Sequence, residues 1–102
     1  MKEVVKIGEE KRIENSIKQW LEANNCWLIK VQGGSNAPST GVPDILTCIK
    51  GRFVAIEVKT PTGRLTKIQQ YQMDQINKSG GVAFVATSLA DVRMELKDAR
   101  IT

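Results

Sequence analysis

Residues 41–59, GVPDILTCIKGRFVAIEVK, decide the fold, because they contain two β-rich runs separated by a short turn. The runs are 45–49 and 53–58, and the turn between them is Lys50-Gly51-Arg52. Apolar β-formers on either side of a glycine-containing turn predict a β-hairpin. Both faces of this hairpin are mostly apolar, which is typical of strands that are covered on both sides. We therefore expect a sheet with helices packed against it.

Charged residues stand at the open end of this hairpin. Asp44 precedes the first strand, and Glu57 and Lys59 end the second. A two-residue loop at Lys50-Gly51 would pair Asp44 with Glu57, and one at Gly51-Arg52 would pair Asp44 with Lys59. Because side chains alternate along a strand, either loop puts all three on one face, whereas a three-residue loop would break this agreement.

Two opposed carboxylates destabilise a pair of strands unless a cation lies between them. Charged side chains are rarely buried unless they are paired or bind a metal. Asp44, Glu57 and Lys59 therefore predict a divalent-cation site with a lysine directed at whatever the ion holds. The alternative is a salt bridge from Lys59 to one carboxylate, with no ion involved.

The remaining segments predict an α/β fold with a mixed central sheet flanked by helices, in the order α-β-β-β-α-β-α. Apolar residues recur at helical spacing along 9–23, and 27–31 is typical of a strand. Residues 32–40 form a loop rich in Gly, Ser, Asn and Pro, which we expect to border the site because it leads into Asp44. Thr66 caps a second helix that ends at Lys78, strand 82–86 follows, and Ser88 caps the last helix.

Composition narrows the possible functions. The 102 residues allow one domain, residues 1–102, and carry a formal net charge of +4, which suits a polyanionic partner. The absence of histidine excludes histidine-based catalysis and zinc sites with imidazole ligands. Cys26 and Cys48 are expected to be small buried side chains in a reducing cytoplasm. The N-terminal residues resemble neither a signal peptide nor a membrane span.

The sequence resembles a small stand-alone VRR-NUC domain, a branch of the PD-(D/E)xK nuclease superfamily. The matching residues follow one another in the family's order along the chain. They are Gly41-Val42-Pro43-Asp44, Glu57-Val58-Lys59, and Gly63-Arg64-Leu65-Thr66 followed by Gln69, with Glu14 in the first helix where the family carries an acid. The resemblance implies a restriction-endonuclease-like core and hydrolysis of DNA phosphodiesters, with no small-molecule cofactor and no membrane partner.

Site roles follow from this resemblance. Asp44 and Glu57 would bind Mg²⁺ or Mn²⁺ together with the backbone carbonyl of Val58, and Glu14 would assist through water. Lys59 would orient the attacking water or stabilise the transition state electrostatically.

Two of the implied residues also have structural explanations. Glu14 borders the apolar face of its helix and could instead be a solvated rim residue paired with Lys18, with Glu10 as the second acidic candidate. Gln69 forms a capping box with Thr66, whereas the resemblance places it at the edge of the active site.

Short members of the family resemble phage-encoded Holliday-junction resolvases. A four-way junction needs two cuts, which a homodimer would place by symmetry. Candidate phosphate contacts are basic residues near the hairpin: Lys30, Arg52, Arg64 and Lys67. The alternatives are a monomeric nuclease that cuts flaps, nicks or duplex ends, and a DNA-binding module without catalysis.

Overall fold

The computed structural model describes residues 8–32 and 40–101. Its elements follow the predicted order α-β-β-β-α-β-α. They are α1 (Glu9–Ala23), β1 (Trp27–Lys30), β2 (Ile45–Ile49), β3 (Arg52–Val58), α2 (Lys67–Lys78), β4 (Val82–Ala86) and α3 (Leu89–Asp98). The predicted fold class is therefore confirmed.

Four strands form one mixed sheet in the order β1-β2-β3-β4. β2 is antiparallel to β1 and β3, while β3 and β4 run parallel. Because a parallel pair needs a crossover connection, α2 carries the chain from the end of β3 back to the start of β4. None of the helices in the described segments is long and apolar enough to cross a membrane.

The turn between β2 and β3 fixes the register of the hairpin. Lys50 and Gly51 both have positive φ, at 51° and 81°, as the two-residue type I′ turn requires. Ile49 pairs with Arg52 and Ile45 pairs with Ile56. One further step along this register brings Asp44 opposite Glu57, which confirms the first of the two loop alternatives.

The hydrophobic core lies on one face of the sheet, where α1 and α3 pack. Its fully buried members come from two helices and three strands: Ile17, Leu21, Ile45, Val54, Ile56, Val58, Ala86, Val92 and Leu96. These positions agree with the predicted apolar faces of the helices and of the hairpin.

The opposite face is more open than the sequence predicts. α2 packs near β4 on this face. Three other side chains are exposed: Trp27 on β1, Cys48 on β2 and Phe53 on β3. The expectation that both faces are covered is wrong for this half of the sheet, because a single helix is too narrow to cover four strands. The expectation that both cysteines are buried is wrong as well, since Cys48 is exposed and Cys26 is half-buried.

Candidate active site at one edge of the sheet

The polar residues of interest lie at one edge of the sheet, hereafter the site edge. Asp44 directly precedes β2, Glu57 is the second-last residue of β3, and Lys30 ends β1. The strand directions bring all three residues to the same edge. All three helices also begin at this edge, because α1 leads to the start of β1, α2 follows β3 and α3 follows β4. Helix N-termini carry partial positive charge, so the edge is favourable for anions.

Asp44 is fixed by a hydrogen bond to the neighbouring strand. The backbone N–H of Val58 donates to Asp44 Oδ2 at 2.8 Å. The next N–H along β3, that of Lys59, donates to the carbonyl of Ala86 on β4 at 3.1 Å. Successive peptide groups therefore point in opposite directions, and both polar groups of Val58 point toward the side of Asp44.

Pro43 leaves the carbonyl of Val58 without a hydrogen bond from the facing backbone. The register of the hairpin places Pro43 opposite Val58, where a ladder hydrogen bond to the carbonyl would otherwise form. Proline has no N–H to donate, so it cannot form that bond. The carbonyl of Val58 thus faces the same side of β3 as Asp44, where it could serve as a third oxygen ligand.

Glu57 is 3% exposed, and its two oxygens have different surroundings. Oε2 lies 3.8 Å from Lys59 Nζ and accepts a hydrogen bond of 3.3 Å from Gln69 Nε2. Oε1 is buried and has no hydrogen-bond partner among the described residues. A buried carboxylate oxygen without a partner is costly, so a missing ion or water is the natural explanation.

Burial and the negative charge of Asp44 raise the pKa of Glu57 to about 8. The charge of Glu10 acts in the same direction, whereas the positive charge of Lys59 opposes it. Glu57 therefore favours its protonated form at neutral pH when no cation is present. A divalent cation would replace that proton and give Glu57 Oε1 its missing partner.

These ligands fit a hard divalent cation. Carboxylate and carbonyl oxygens from Asp44, Glu57 and Val58 suit Mg²⁺ or Mn²⁺, which complete their coordination with water. No group of three acidic, histidine or cysteine side chains that could hold a metal occurs within residues 8–32 and 40–101. Asp44 and Glu57 are the two carboxylates that the site edge brings together.

Gln69 makes both of its predicted contacts. Its side-chain oxygen accepts a hydrogen bond from the backbone N–H of Thr66 at 3.0 Å. The backbone N–H of Gln69 donates to the Thr66 hydroxyl at 3.2 Å. Its amide nitrogen simultaneously reaches Glu57. The capping box thus holds the glutamine amide at the site, so the two interpretations of this residue do not conflict.

Glu14 is buried, but its partners are lysines. Its Oε2 lies 3.1 Å from Lys11 Nζ and 3.6 Å from Lys18 Nζ, and Oε1 lies 3.5 Å from Lys30 Nζ. Burial opposes ionisation, but the hydrogen bond from Lys11 and the three positive charges outweigh it and lower the pKa of Glu14. The hypothesis that Glu14 is a solvated rim residue gave the correct partner, Lys18, but Glu14 is buried rather than solvated. A metal-site role for Glu14 stays a prediction.

Lys30 connects this glutamate to the site, since its ammonium lies 3.9 Å from Asp44 Oδ1. The sequence could indicate Lys11 and Lys18, which lie one helical turn from Glu14, but Lys30 arrives from another element. Among the other predicted phosphate contacts, Arg64 and Lys67 are near the site edge, whereas Arg52 lies at the opposite end of β3. Most of the predicted border loop, residues 33–39, lies outside the described residues.

The family model of the VRR-NUC domain matches residues 10–90. The chain belongs to the VRR-NUC family. A solved structure of a VRR_NUC domain has the same fold: it superposes with a TM-score of 0.73 at 22% identity, covering 89% of this chain and 97% of that one. No curated protein matches the sequence significantly. The protein is thus a nuclease-type domain, and membership of this family implies DNA as substrate and a general dependence on divalent metal ions.

Proposed function

We propose that this protein is a metal-dependent endodeoxyribonuclease that hydrolyses DNA phosphodiesters at the site edge. The observation that carries the proposal is Glu57 Oε1, a buried oxygen that lies beside a second carboxylate and has no partner in residues 8–32 and 40–101. A bound Mg²⁺ or Mn²⁺ supplies charge neutralisation for the phosphate and lowers the pKa of a coordinated water. Asp44, Glu57 and the carbonyl of Val58 would hold it.

The remaining residues of the site act on the substrate through their hydrogen bonds and charges. Lys59, close to Glu57, donates a hydrogen bond to the attacking water or to a phosphate oxygen and stabilises the negative charge of the transition state. Gln69 keeps Glu57 in place through its amide. Water attacks phosphorus, one P–O bond breaks, and the strand is left with one phosphate end and one hydroxyl end.

The acid contributed by α1 is a separate question. Glu14 is the predicted residue and would act through water, while Glu10 is the alternative, because its charge already raises the pKa of Glu57. Titration of Mn²⁺ into Glu14→Gln and Glu10→Gln distinguishes them. The variant of the contributing residue binds the ion more weakly, and the other binds it as the wild type does.

For the substrate, we propose branched DNA, and four-way junctions above all, cut by a homodimer. Two symmetric cuts need two active sites related by a twofold axis. The exposed apolar residues of the open sheet face, Trp27, Ile29 and Phe53, support contact with a second copy. The runner-up functions are a monomeric flap, nick or duplex-end nuclease and a binding module that does not cut.

The test is cleavage of a junction, a flap, a nicked duplex and a linear duplex in Mn²⁺, Mg²⁺ or chelator, with mass determination in solution. We expect junction cleavage that needs metal and a dimeric mass. Lys59→Gln should lower the cleavage rate roughly 10²–10³-fold, while the matched Lys78→Gln change, at the far end of α2, leaves it unchanged. Metal-dependent cutting by a monomer without junction preference would favour the first alternative. Binding without any cutting would favour the second.

A further inference from the structure

The buried carboxylate of Glu14 forms salt bridges with three lysines beside the candidate active site. The Glu14–lysine cluster consists of Glu14, Lys11, Lys18 and Lys30, with nitrogen–oxygen distances of 3.1 to 3.6 Å. The lysines come from two elements, since Lys11 and Lys18 lie on α1 whereas Lys30 ends β1. Because the carboxylate is 5% exposed, it is a fixed centre around which the ammonium groups are arranged.

This arrangement leaves positive charge unbalanced. Glu14 balances one of the three lysines, and Asp44, 3.9 Å from Lys30, balances a second, so one positive charge remains in the cluster beyond these two carboxylates. The lysine side chains are 52%, 26% and 28% exposed, for Lys11, Lys18 and Lys30 respectively, so their ammonium groups reach solvent. Their partly buried stems restrict them, which reduces the entropy lost when they bind an anion.

The position of the cluster indicates which anion it binds. Lys30 also lies 3.9 Å from Asp44 Oδ1, so the cluster adjoins the carboxylates of the site. Asp44, Glu57 and Glu10 would repel an approaching DNA strand, and adjacent fixed positive charge offsets that repulsion. When one phosphate of a DNA strand lies at Asp44 and Glu57, the adjacent phosphates of that strand lie at neighbouring positions along the site edge.

We propose that the Glu14–lysine cluster binds a backbone phosphate of the DNA strand that is being cut, adjacent to the scissile phosphate. The inference rests on the proposed nuclease function, which it deepens by giving the strand a direction across the protein, from Asp44 toward α1. Glu14 is a positioning residue here: it orients the lysines and does not contact DNA.

The test compares two double variants that each remove two positive charges. Lys11→Gln with Lys18→Gln alters the cluster and leaves Lys30 to pair with Glu14. Lys78→Gln with Lys97→Gln is the matched control, because both residues are exposed and lie at helix C-termini away from the site edge. Affinity for a fluorescent duplex is measured in chelator over a range of salt concentrations, so that binding is scored without cleavage.

We expect the cluster variant to bind about tenfold more weakly near 0.1 M salt, with a salt slope smaller by about one to two. The control pair should stay within about twofold of the wild type. Restoring charge in Lys11→Arg with Lys18→Arg should restore the affinity, and in Mg²⁺ the cluster variant should raise KM while kcat changes little. Equal effects of the two double variants, or no effect of either, would overturn the inference.

Two further outcomes distinguish a failure of the phosphate-binding role of the cluster from a failure of the proposed nuclease function. If the cluster variant does not fold, Lys11→Gln alone is used, since Lys11 is the most exposed of the three, and about half of the effect on log affinity is expected. If the wild-type protein binds DNA but cuts no substrate with any metal, the proposed function fails while the binding comparison still decides the role of the cluster. Cleavage with unaltered binding of the cluster variant contradicts the cluster alone.

Discussion

Glu14 and Glu57 are the same residue type with nearly the same burial, at 5% and 3% exposed, but their surroundings are opposite. Three lysines surround Glu14, and the pKa of its carboxyl is lowered. Glu57 faces Asp44, the pKa of its carboxyl is raised to about 8, and its Oε1 has no partner among the described residues.

The difference shows that burial alone does not identify a functional carboxylate. Three of the protein's own lysines balance the charge of Glu14, so its carboxylate requires no external cation for charge balance. At Glu57 the single nearby lysine does not offset burial and the second carboxylate, which leaves a place for an external cation. A strongly perturbed carboxyl next to a like charge is typical of an active site.

The largest expected effect is the loss of cleavage activity in Glu57→Gln. Glu57→Gln should lower cleavage about thousandfold, because loss of a metal ligand removes about 4 kcal/mol of transition-state stabilisation. The metal-free variant should nonetheless be at least as stable at pH 8 as the wild type, since a poorly satisfied charge is removed. Cleavage rates and thermal melting in chelator measure both effects. Reduced stability together with full activity would reverse the assignment of Glu57.

The second prediction concerns pH. The pKa of Glu57 rises from its ordinary value of 4.5 to about 8 on folding, so the folded protein binds more protons between these values. Its contribution to stability is therefore present below about pH 4.5 and is lost as pH rises toward 8. We expect the free energy of unfolding of the metal-free protein to fall over this range, by at most about 5 kcal/mol at about 1.4 kcal/mol per pH unit between the two pKa values.

Melting in chelator from pH 5 to pH 9 measures this fall, and Glu57→Gln is the control, in which it should be absent. Mn²⁺ should oppose the fall increasingly as pH rises, because the ion binds the deprotonated pair. The groups with lowered pKa, Glu14 and Asp91, change stability only at more acidic pH. The same slope in wild type and Glu57→Gln would show that Glu57 does not hold the proton.

The third prediction tests the satisfied glutamate. Glu14→Gln should destabilise the protein by about 1–2 kcal/mol, less than a fully buried ion pair would, because its lysine partners are partly exposed to water. Denaturant unfolding at neutral pH measures the change. Unlike Glu57→Gln, this variant should lose stability, and a stabilising effect would remove the contrast between the two sites.

The smallest expected effect distinguishes the two roles of Gln69. Gln69→Ala should cost about 1 kcal/mol of stability, because it removes the side-chain half of the capping box. Gln69→Glu keeps a capping-box residue but brings a third carboxylate to Glu57, so it should retain the stability of α2 while weakening cleavage. Unfolding and cleavage measured on both variants separate the effects. Equal cleavage by Gln69→Glu and wild type would limit Gln69 to its helix-capping role.

Local patterns were sufficient to predict most of the fold. The turn residues placed the hairpin and reduced its register to a few alternatives, and Thr66 and Ser88 marked the starts of two helices. The exposure of Phe53 and Cys48 was not predictable, because alternation of apolar residues shows which side chains share a face but not how much of that face a helix covers.

Within the site, the residues that are local to the hairpin were easier to predict than those that meet across elements. Either two-residue loop placed Asp44 and Glu57 on one face, but the sequence left the choice of loop open. The salt bridges of Lys30 depend on how β1 and α1 pack around the end of the sheet, which no local pattern specifies. A distant lysine therefore changed the environment of Glu14 in a way that the spacing within α1 could not indicate.

The most direct test of the metal site is anomalous diffraction from crystals grown with Mn²⁺ at pH 8. We predict one peak between Asp44 and Glu57, about 2.0–2.3 Å from an oxygen of each and near the carbonyl of Val58. Glu57 Oε1 should be one of its ligands. Crystals that contain Mn²⁺ but show no peak there, with both carboxyls still facing each other, would contradict the account.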